Sequence, residues 1–148
     1  LQLNWATVVK LARHRVGRWK MEFLVLYPYD MVIKRWLSQP SMSNALTAIH
    51  GDESWQAAQA ISMRLAEDED AKRQRFINLY KDRISGLSYN YVTGYGPLGY
   101  GHRGYYHAIF ASAQPIEATI MDAVWAKPRP IPGQLEYTSV RRPRQAAV

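Results

Sequence analysis

Residues 86–106 read GLSYNYVTGYGPLGYGHRGYY, and the structure assigned to this stretch decides the fold class of the chain. Five glycines lie between Gly94 and Gly104, with tyrosines interleaved among them. A glycine-rich stretch of this length predicts a long loop whose backbone approaches another surface closely. Aromatic rings and guanidinium groups are frequent interface anchors. The candidate anchors in this loop are Tyr95, Tyr100, Arg103 and Tyr105.

The same stretch contains a short match to a nucleotide-binding pattern, because residues 99–104 fit GxGxxG. That pattern binds a dinucleotide when it joins a strand to a helix in a βαβ unit and an acidic residue follows about 20 residues later. Neither condition is predicted here, and Pro97 disfavours the required turn. We therefore predict no cofactor.

The N-terminal part is predicted to be one amphipathic helix that ends before Pro28. Its apolar stripe consists of Trp5, Val8, Val9, Ala12, Val16, Trp19, Phe23 and Leu26. Such a helix suits an anionic membrane surface or RNA phosphates, and it equally suits an ordinary core helix with a solvated basic face. Residues 1–20 hold five Lys or Arg and no acidic residue, which resembles an organellar targeting sequence. The candidate interface residues are Trp5, Lys10, Arg13, Arg18 and Trp19.

Asp30 is placed to cap a short helix over residues 31–37. A second helical region is predicted to start near Asn44 and to break at Gly51, after which Asp52 is placed to cap a long helix that continues to about Ser85. The acidic run 67–70 falls inside the long helix, where its side chains spread around the axis. We interpret that run as a solvated or partner-facing surface.

The C-terminal part is predicted to be a helix followed by an extended tail. Pro115 suits a first helical turn, and the apolar face then comprises Ile116, Ile120, Met121, Val124 and Trp125. From residue 127 the sequence KPRPIPG excludes a helix and favours a polyproline-like path. We expect this basic tail to wrap a partner. Its candidate contacts are Arg129, Arg141, Arg142 and Arg144.

These elements together predict a mostly α fold of four to five helices, one of them long, with a Gly/Tyr-rich loop and an extended Pro/Arg tail. Residues 1–126 are predicted to form the helical body, which includes the loop at 86–106. Residues 127–148 form the tail. We expect the loop and the tail to contact other chains, because they offer few aliphatic side chains to offset the entropy of ordering.

The composition excludes several classes of function and indicates the kind of partner. The chain has 148 residues, 47% hydrophobic and 21% charged, which fits one folded domain. It has no cysteine, which excludes disulfides, thiolate metal sites and cysteine nucleophiles. The net charge is +7, and it is concentrated at the two ends, which predicts basic arms that meet a polyanion or an acidic partner.

No catalytic or metal-binding pattern is predicted. His102 and His107 lack the spacing of a metal site, and they read more simply as hydrogen-bonded loop residues. A small enzyme with its site at these histidines is the least favoured hypothesis. We predict no enzyme activity.

We expect a non-catalytic accessory subunit that staples a large organellar assembly, peripheral to the membrane, in a mitochondrial respiratory or ATP-synthase complex. Its partners would be other protein subunits and anionic lipid head groups. The alternative is an organellar ribosomal or other RNA-binding protein, because basic tails that bind phosphates look alike in sequence.

Overall fold

The computed structural model describes residues 4–98 and 106–126, which form a mixed α/β fold. Of these residues 59% are helical and 21% lie in strands of two antiparallel sheets. The six α-helices of the described part are α1 (Trp5–Arg13), α2 (Lys34–Leu37), α3 (Ser43–His50), α4 (Ser54–Arg64), α5 (Glu69–Ser85) and α6 (Pro115–Ala126). The strands are β1 (Arg15–Val16), β2 (Trp19–Lys20), β3 (Phe23–Tyr27), β4 (Tyr91–Leu98) and β5 (Tyr106–Ser112). The prediction of a mostly α fold with four to five helices is therefore wrong.

The prediction of a single N-terminal helix is also wrong beyond Arg13, where α1 ends. Helix α1 is capped by the Asn4 side chain, and the backbone becomes extended at His14. Gly17 then adopts a φ of 59°, which favours glycine and lets β1 and β2 form a tight hairpin. Strand β3 follows in a run, FLVLY, whose side chains are all apolar, so its sequence fits a helical period as well as a strand.

The middle of the chain holds short helical turns and then α3. A π-helical turn, Tyr29–Ile33, runs directly into α2, and a 3-10 turn, Pro40–Met42, precedes α3. The predicted helix over 31–37 is thus present as two joined pieces. Asp30 does not cap it, because the Asp30 carboxylate accepts hydrogen bonds from Arg73 of α5.

The predicted long helix from Asp52 to Ser85 is two helices that pack on each other. Asp52 does accept a hydrogen bond from the Ser54 amide at the start of α4. The chain then turns at Ala66, whose φ is 49°, and Asp68 caps α5 through the Ala71 amide at 2.8 Å. The acidic run 67–70 therefore begins at this turn and not inside one long helix.

The Gly/Tyr stretch contributes a strand, so the prediction of a loop over 86–106 is wrong for residues 91–98. Strand β4 pairs with β5, which pairs in turn with β3, and the sheet order is β3-β5-β4. Gly94 faces α5, since a Cβ there would lie 3.6 Å from Ile77. The predicted anchors between residues 99 and 105 lie outside the described residues, as does the tail 127–148.

The three-stranded sheet has helices on both faces. On the inner face, Val25 and Tyr27 of β3 are buried in a core that includes Tyr80 of α5. On the outer face, Tyr95 of β4 stacks on Trp125 of α6 with ring centroids 5.0 Å apart. Helix α6 begins at the predicted Pro115. The site described next lies at one edge of this outer layer.

Candidate interaction surface

The β1–β2 hairpin presents an aromatic ring and a guanidinium group at its tip. Trp19 is 55% exposed and Val16 is 68% exposed, and both lie on this hairpin and not on the apolar stripe of the predicted helix. The guanidinium carbon of Arg18 lies 4.8 Å from the centroid of the Trp19 ring. This cation–π pair holds a large flat surface next to a positive charge, which is the chemistry of an interface anchor.

The base of the hairpin is fixed to the body, so the tip is held in place. The ammonium group of Lys20 donates to the Leu87 carbonyl and lies 3.9 Å from the centroid of the Tyr89 ring. Burial, and then the charge of Arg15, lower the pKa of Lys20. The Tyr89 hydroxyl donates to the Met21 carbonyl at 2.6 Å. Lys20 therefore has a structural role, whereas Arg18 and Trp19 project.

A cavity of about 520 Å³ separates the hairpin from the first turn of α6. Positively charged side chains, negatively charged side chains and one indole ring line it. The lining residues are Arg15, Arg18, Trp19, Lys20, Glu22, Ala113, Gln114 and Glu117. In the described part of the chain, neither Arg15 nor Arg18 forms a salt bridge. The Arg15 guanidinium donates instead to the Ala12 carbonyl at 2.9 Å and to the His14 carbonyl at 3.2 Å.

Two carboxyl groups share this cavity. Burial, and then the negative charge of Glu117, raise the pKa of Glu22. Ser112 donates to Glu22 at 3.4 Å, and one carboxyl oxygen of Glu117 is buried without a hydrogen-bond partner. Glu22 therefore retains its proton to a higher pH than an exposed glutamate does.

The outer side of α6 carries three exposed aliphatic side chains. Ile116, Ile120 and Val124 are 62%, 58% and 55% exposed, and their spacing of four residues places them in one stripe. The predicted apolar face is thus split, because Met121 and Trp125 lie half-buried toward the sheet. The sequence does contain a sign of this exposed stripe. The apolar residues of α6 lie on more than one face of the helix, whereas a surface helix buries only one apolar face.

The predicted site residues fall into four groups. Trp5 is buried against Tyr80 in the core and is not at the surface. Lys10 and Arg13 are exposed on α1, and Arg18 and Trp19 are exposed on the hairpin. Tyr95 is half-buried under α6, where its hydroxyl donates to Asp122. The residues outside the described ranges are Tyr100, Arg103, Tyr105, Arg129, Arg141, Arg142 and Arg144.

The acidic run pairs mostly within the protein. Glu67 accepts from Arg75 and from the Ser62 hydroxyl, and these hydrogen bonds lower its pKa to about 2. Glu69 pairs with Lys34 at 3.1 Å. These side chains therefore tie α5 to α4 and α2. The interpretation of the run as a solvated or partner-facing surface stays a prediction.

The histidines do not converge on a common site in the described residues. His107 is buried on β5, whereas His50 is buried between Tyr27 and the Leu46 carbonyl. No group of three or more His, Asp or Glu side chains within residues 4–98 and 106–126 is arranged to hold a metal ion.

No protein-family model, curated protein sequence or solved structure matches the chain. Across the two described ranges, no helix has both the length and the apolar character needed to span a membrane. The geometry of the hairpin and of α6 therefore carries the functional argument alone.

Proposed function

We propose that the chain is a non-catalytic accessory subunit of a large assembly and that it attaches through the β1–β2 hairpin. The observation that carries the proposal is the Arg18–Trp19 pair, which stands exposed on a hairpin anchored by Lys20 and Tyr89. Tryptophan and arginine dominate the binding energy of protein interfaces when a partner excludes water from them. A preorganised hairpin also loses little entropy on binding.

The assembly we propose is a mitochondrial respiratory or ATP-synthase complex, with the chain at the periphery of its membrane part. The support is the cation-rich N-terminal region, which resembles an organellar targeting sequence, together with the aromatic-rich, cysteine-free composition. Basic, aromatic surfaces suit the boundary between protein and anionic head groups.

A second candidate is an organellar ribosomal or other RNA-binding protein, and it rests on the same pair. An exposed indole next to a guanidinium group can stack on an unpaired base while arginines contact phosphates. The two candidates differ in the chemistry that meets the hairpin, which is acidic protein and lipid head groups in the first and an RNA strand in the second.

The experiment is native electrophoresis of membranes from cells that express the full chain with an epitope tag. The variant is Arg18→Ala with Trp19→Ala. The matched control is Met63→Ala with Arg64→Ala, which removes an exposed apolar side chain and an exposed arginine from α4. We expect the control to migrate with a membrane complex like the wild type, and the hairpin variant to bind at least about 30-fold more weakly.

Migration of the hairpin variant with the complex at wild-type level would refute attachment through the hairpin. Migration of the wild type in a particle that ribonuclease dissolves would establish the RNA-binding alternative instead. Free migration of the wild type would refute the accessory-subunit proposal altogether.

A further inference from the structure

The three-stranded sheet ends in β4 on one side and in β3 on the other, and the edge at β4 is protected against further pairing. Strand β4 contains Pro97, which has no N–H group to donate. Its register with β5 also shifts between Tyr95 and Leu98. Prolines and bulges are the devices by which proteins keep an edge strand from pairing with another chain.

The edge at β3 has none of these devices. Strand β3 reads FLVLY, without proline, glycine or a charged residue, and it pairs with β5 in an unbroken register over its whole length. In an antiparallel pair every second residue directs its N–H and C=O groups away from the neighbouring strand. Within residues 4–98 and 106–126, the backbone of Phe23–Tyr27 hydrogen bonds to no backbone other than that of β5. This free edge is therefore a template for an extended chain.

The side chains of β3 determine which kind of strand fits the edge. Val25 and Tyr27 are buried on the inner face, whereas Leu24 and Leu26 are 48% and 52% exposed on the outer face. A strand that pairs here brings its own outward side chains against these leucines. A charge at those positions would lose its hydration next to aliphatic groups. The matching strand is therefore uncharged and aliphatic on its outer face.

Among the strands that the structure describes, β3 itself meets this requirement best. Strand β5 is paired on both sides, β4 is protected, and β1 and β2 have two residues each. A second copy of β3 fits by symmetry as well. In an antiparallel pair about a two-fold axis through Val25, the two strands overlap over their whole length.

This register brings together side chains of the same kind. On the outer face, Leu24 lies opposite Leu26 of the second copy. On the inner face, the half-buried Phe23 lies opposite Tyr27 of the second copy. Apolar and aromatic pairs directly across two strands stabilise a sheet.

We propose that the chain forms a two-fold dimer in which the β3 edges of two copies pair. The two sheets then form one continuous sheet in the order β4-β5-β3-β3-β5-β4. The pairing removes both unprotected edges from water and buries the outer leucines against each other, and closed two-fold dimers are the commonest oligomers. It uses β3 and not the β1–β2 hairpin, so it goes beyond the proposed attachment and is independent of it.

The first experiment measures the mass of the purified full chain by sedimentation equilibrium, and we expect a dimer. Leu24→Lys with Leu26→Lys should raise the dissociation constant at least about tenfold, because each lysine then faces a lysine across the axis. The matched control is Ile120→Lys with Val124→Lys, which are exposed to a similar extent on α6, and it should dimerise like the wild type.

A charge swap separates a lost contact from a misfolded chain. Leu24→Glu with Leu26→Glu should also be monomeric by itself. An equimolar mixture of the lysine and glutamate variants should form a heterodimer, because each lysine then faces a glutamate. Two variants with the circular dichroism of the wild type that do not associate with each other would contradict the pairing.

Disulfide formation tests the register without adding charge. The chain has no cysteine, so Leu24→Cys and Leu26→Cys each supply a single thiol. Position 24 lies directly opposite position 26 of the second copy, with Cα atoms about 4.5–5.5 Å apart, whereas the two copies of position 24 lie diagonally, about 7–8 Å apart. Disulfides need Cα atoms within about 7 Å. We therefore expect rapid oxidation in a mixture of the two variants and slow oxidation in either variant alone.

The remaining outcomes are equally decisive. A monomeric wild type, or a dimer that only Ile120→Lys with Val124→Lys dissociates, would overturn the proposal. Equal rates of disulfide formation in the mixture and in the single variants would overturn the register and with it the two-fold pairing. None of these results bears on attachment through the hairpin, which native electrophoresis tests separately.

Discussion

The two faces of the three-stranded sheet differ in how completely they are covered. The inner face packs Val25 and Tyr27 against α5, and the aromatic cluster around them is buried. The outer face carries α6, which buries only Ala118 completely and leaves three aliphatic side chains exposed. The inner face therefore supplies most of the buried core, whereas the outer face leaves aliphatic surface exposed.

The largest expected effect is at a glycine on the inner side. Gly51 ends α3 with a φ of 86°, and a Cβ there would lie 2.1 Å from the Trp5 ring. Gly51→Ala combines backbone strain with a clash in the core, so we expect a loss of about 3 kcal/mol or more in the free energy of unfolding. Urea unfolding followed by circular dichroism measures it.

Gly17 in the hairpin is the matched control for that substitution. Its φ is 59°, but nothing lies within 4 Å of the added Cβ. Gly17→Ala therefore carries the backbone strain alone, and about 1 kcal/mol is expected. Equal losses at the two glycines would contradict the contrast between a closed inner side and an open hairpin.

The second effect is a dependence of the free energy of unfolding on pH, and it comes from His50. Its Nδ1 donates to the Leu46 carbonyl, and its Nε2 accepts from the Tyr27 hydroxyl, both at 2.8 Å. Burial lowers the pKa of His50 from 6.5 to about 4. Between pH 6.5 and 4 the unfolded chain therefore binds a proton that the folded protein excludes, and stability falls as the pH decreases, by about 3 kcal/mol over the window.

Urea unfolding at several pH values tests this origin of the dependence. In His50→Gln the free energy of unfolding should decrease less between pH 6.5 and 4 than in the wild type, because a glutamine does not titrate. His14→Gln, at an exposed position after α1, should keep the wild-type decrease. A variant at His50 with the full wild-type decrease would assign the effect to the carboxyl groups instead.

The third effect is the loss of stability when a tyrosine hydroxyl is removed, compared between Tyr27 and Tyr95. Tyr27→Phe leaves Nε2 of the buried His50 without its donor, and we expect a loss of about 1–2 kcal/mol in the free energy of unfolding. Tyr95→Phe removes the bond to the exposed Asp122 on the outer side, where water replaces it, and about 0.5 kcal/mol is expected. Thermal unfolding of the two variants side by side checks the order, and the reverse order would contradict it.

The smallest effect is expected on α6. Ile120→Gln and Val124→Gln should each change the free energy of unfolding by less than about 0.5 kcal/mol, since both side chains are already in water. Chemical unfolding measures these changes. A loss of about 2 kcal/mol at either position would show that the protein's own core covers the stripe.

The sequence predicted parts of three helices. The helical spacing from Trp5 to Ala12 holds in α1, and α6 starts at the predicted Pro115. Asp52 forms the predicted hydrogen bond at the start of α4. It failed at β3, because an all-apolar run fits a helix and a strand equally. It failed at β4 because glycine lowers strand propensity, whereas Gly94 serves there to let α5 approach.

The candidate surface was predicted in part. Arg18 and Trp19 were chosen as interface residues on a helix, and they are exposed on a hairpin instead. Trp5 was chosen by the same stripe and is buried, because the tertiary fold and not the spacing decides which tryptophan meets solvent. Leu24 and Leu26 were missed as surface residues, since their exposure depends on how far α6 reaches across the sheet.

Photo-cross-linking from two matched positions tests attachment through the hairpin most directly. Val16 on the hairpin and Met63 on α4 are exposed to a similar extent, 68% and 71%, and only Val16 lies on the proposed attachment surface. A photoreactive amino acid would replace each in turn in the full chain, in cells that express it. The account predicts cross-links from position 16 to subunits or lipids of a mitochondrial membrane complex, and none from position 63. Cross-links from position 63 alone, or equally from both positions, would contradict it.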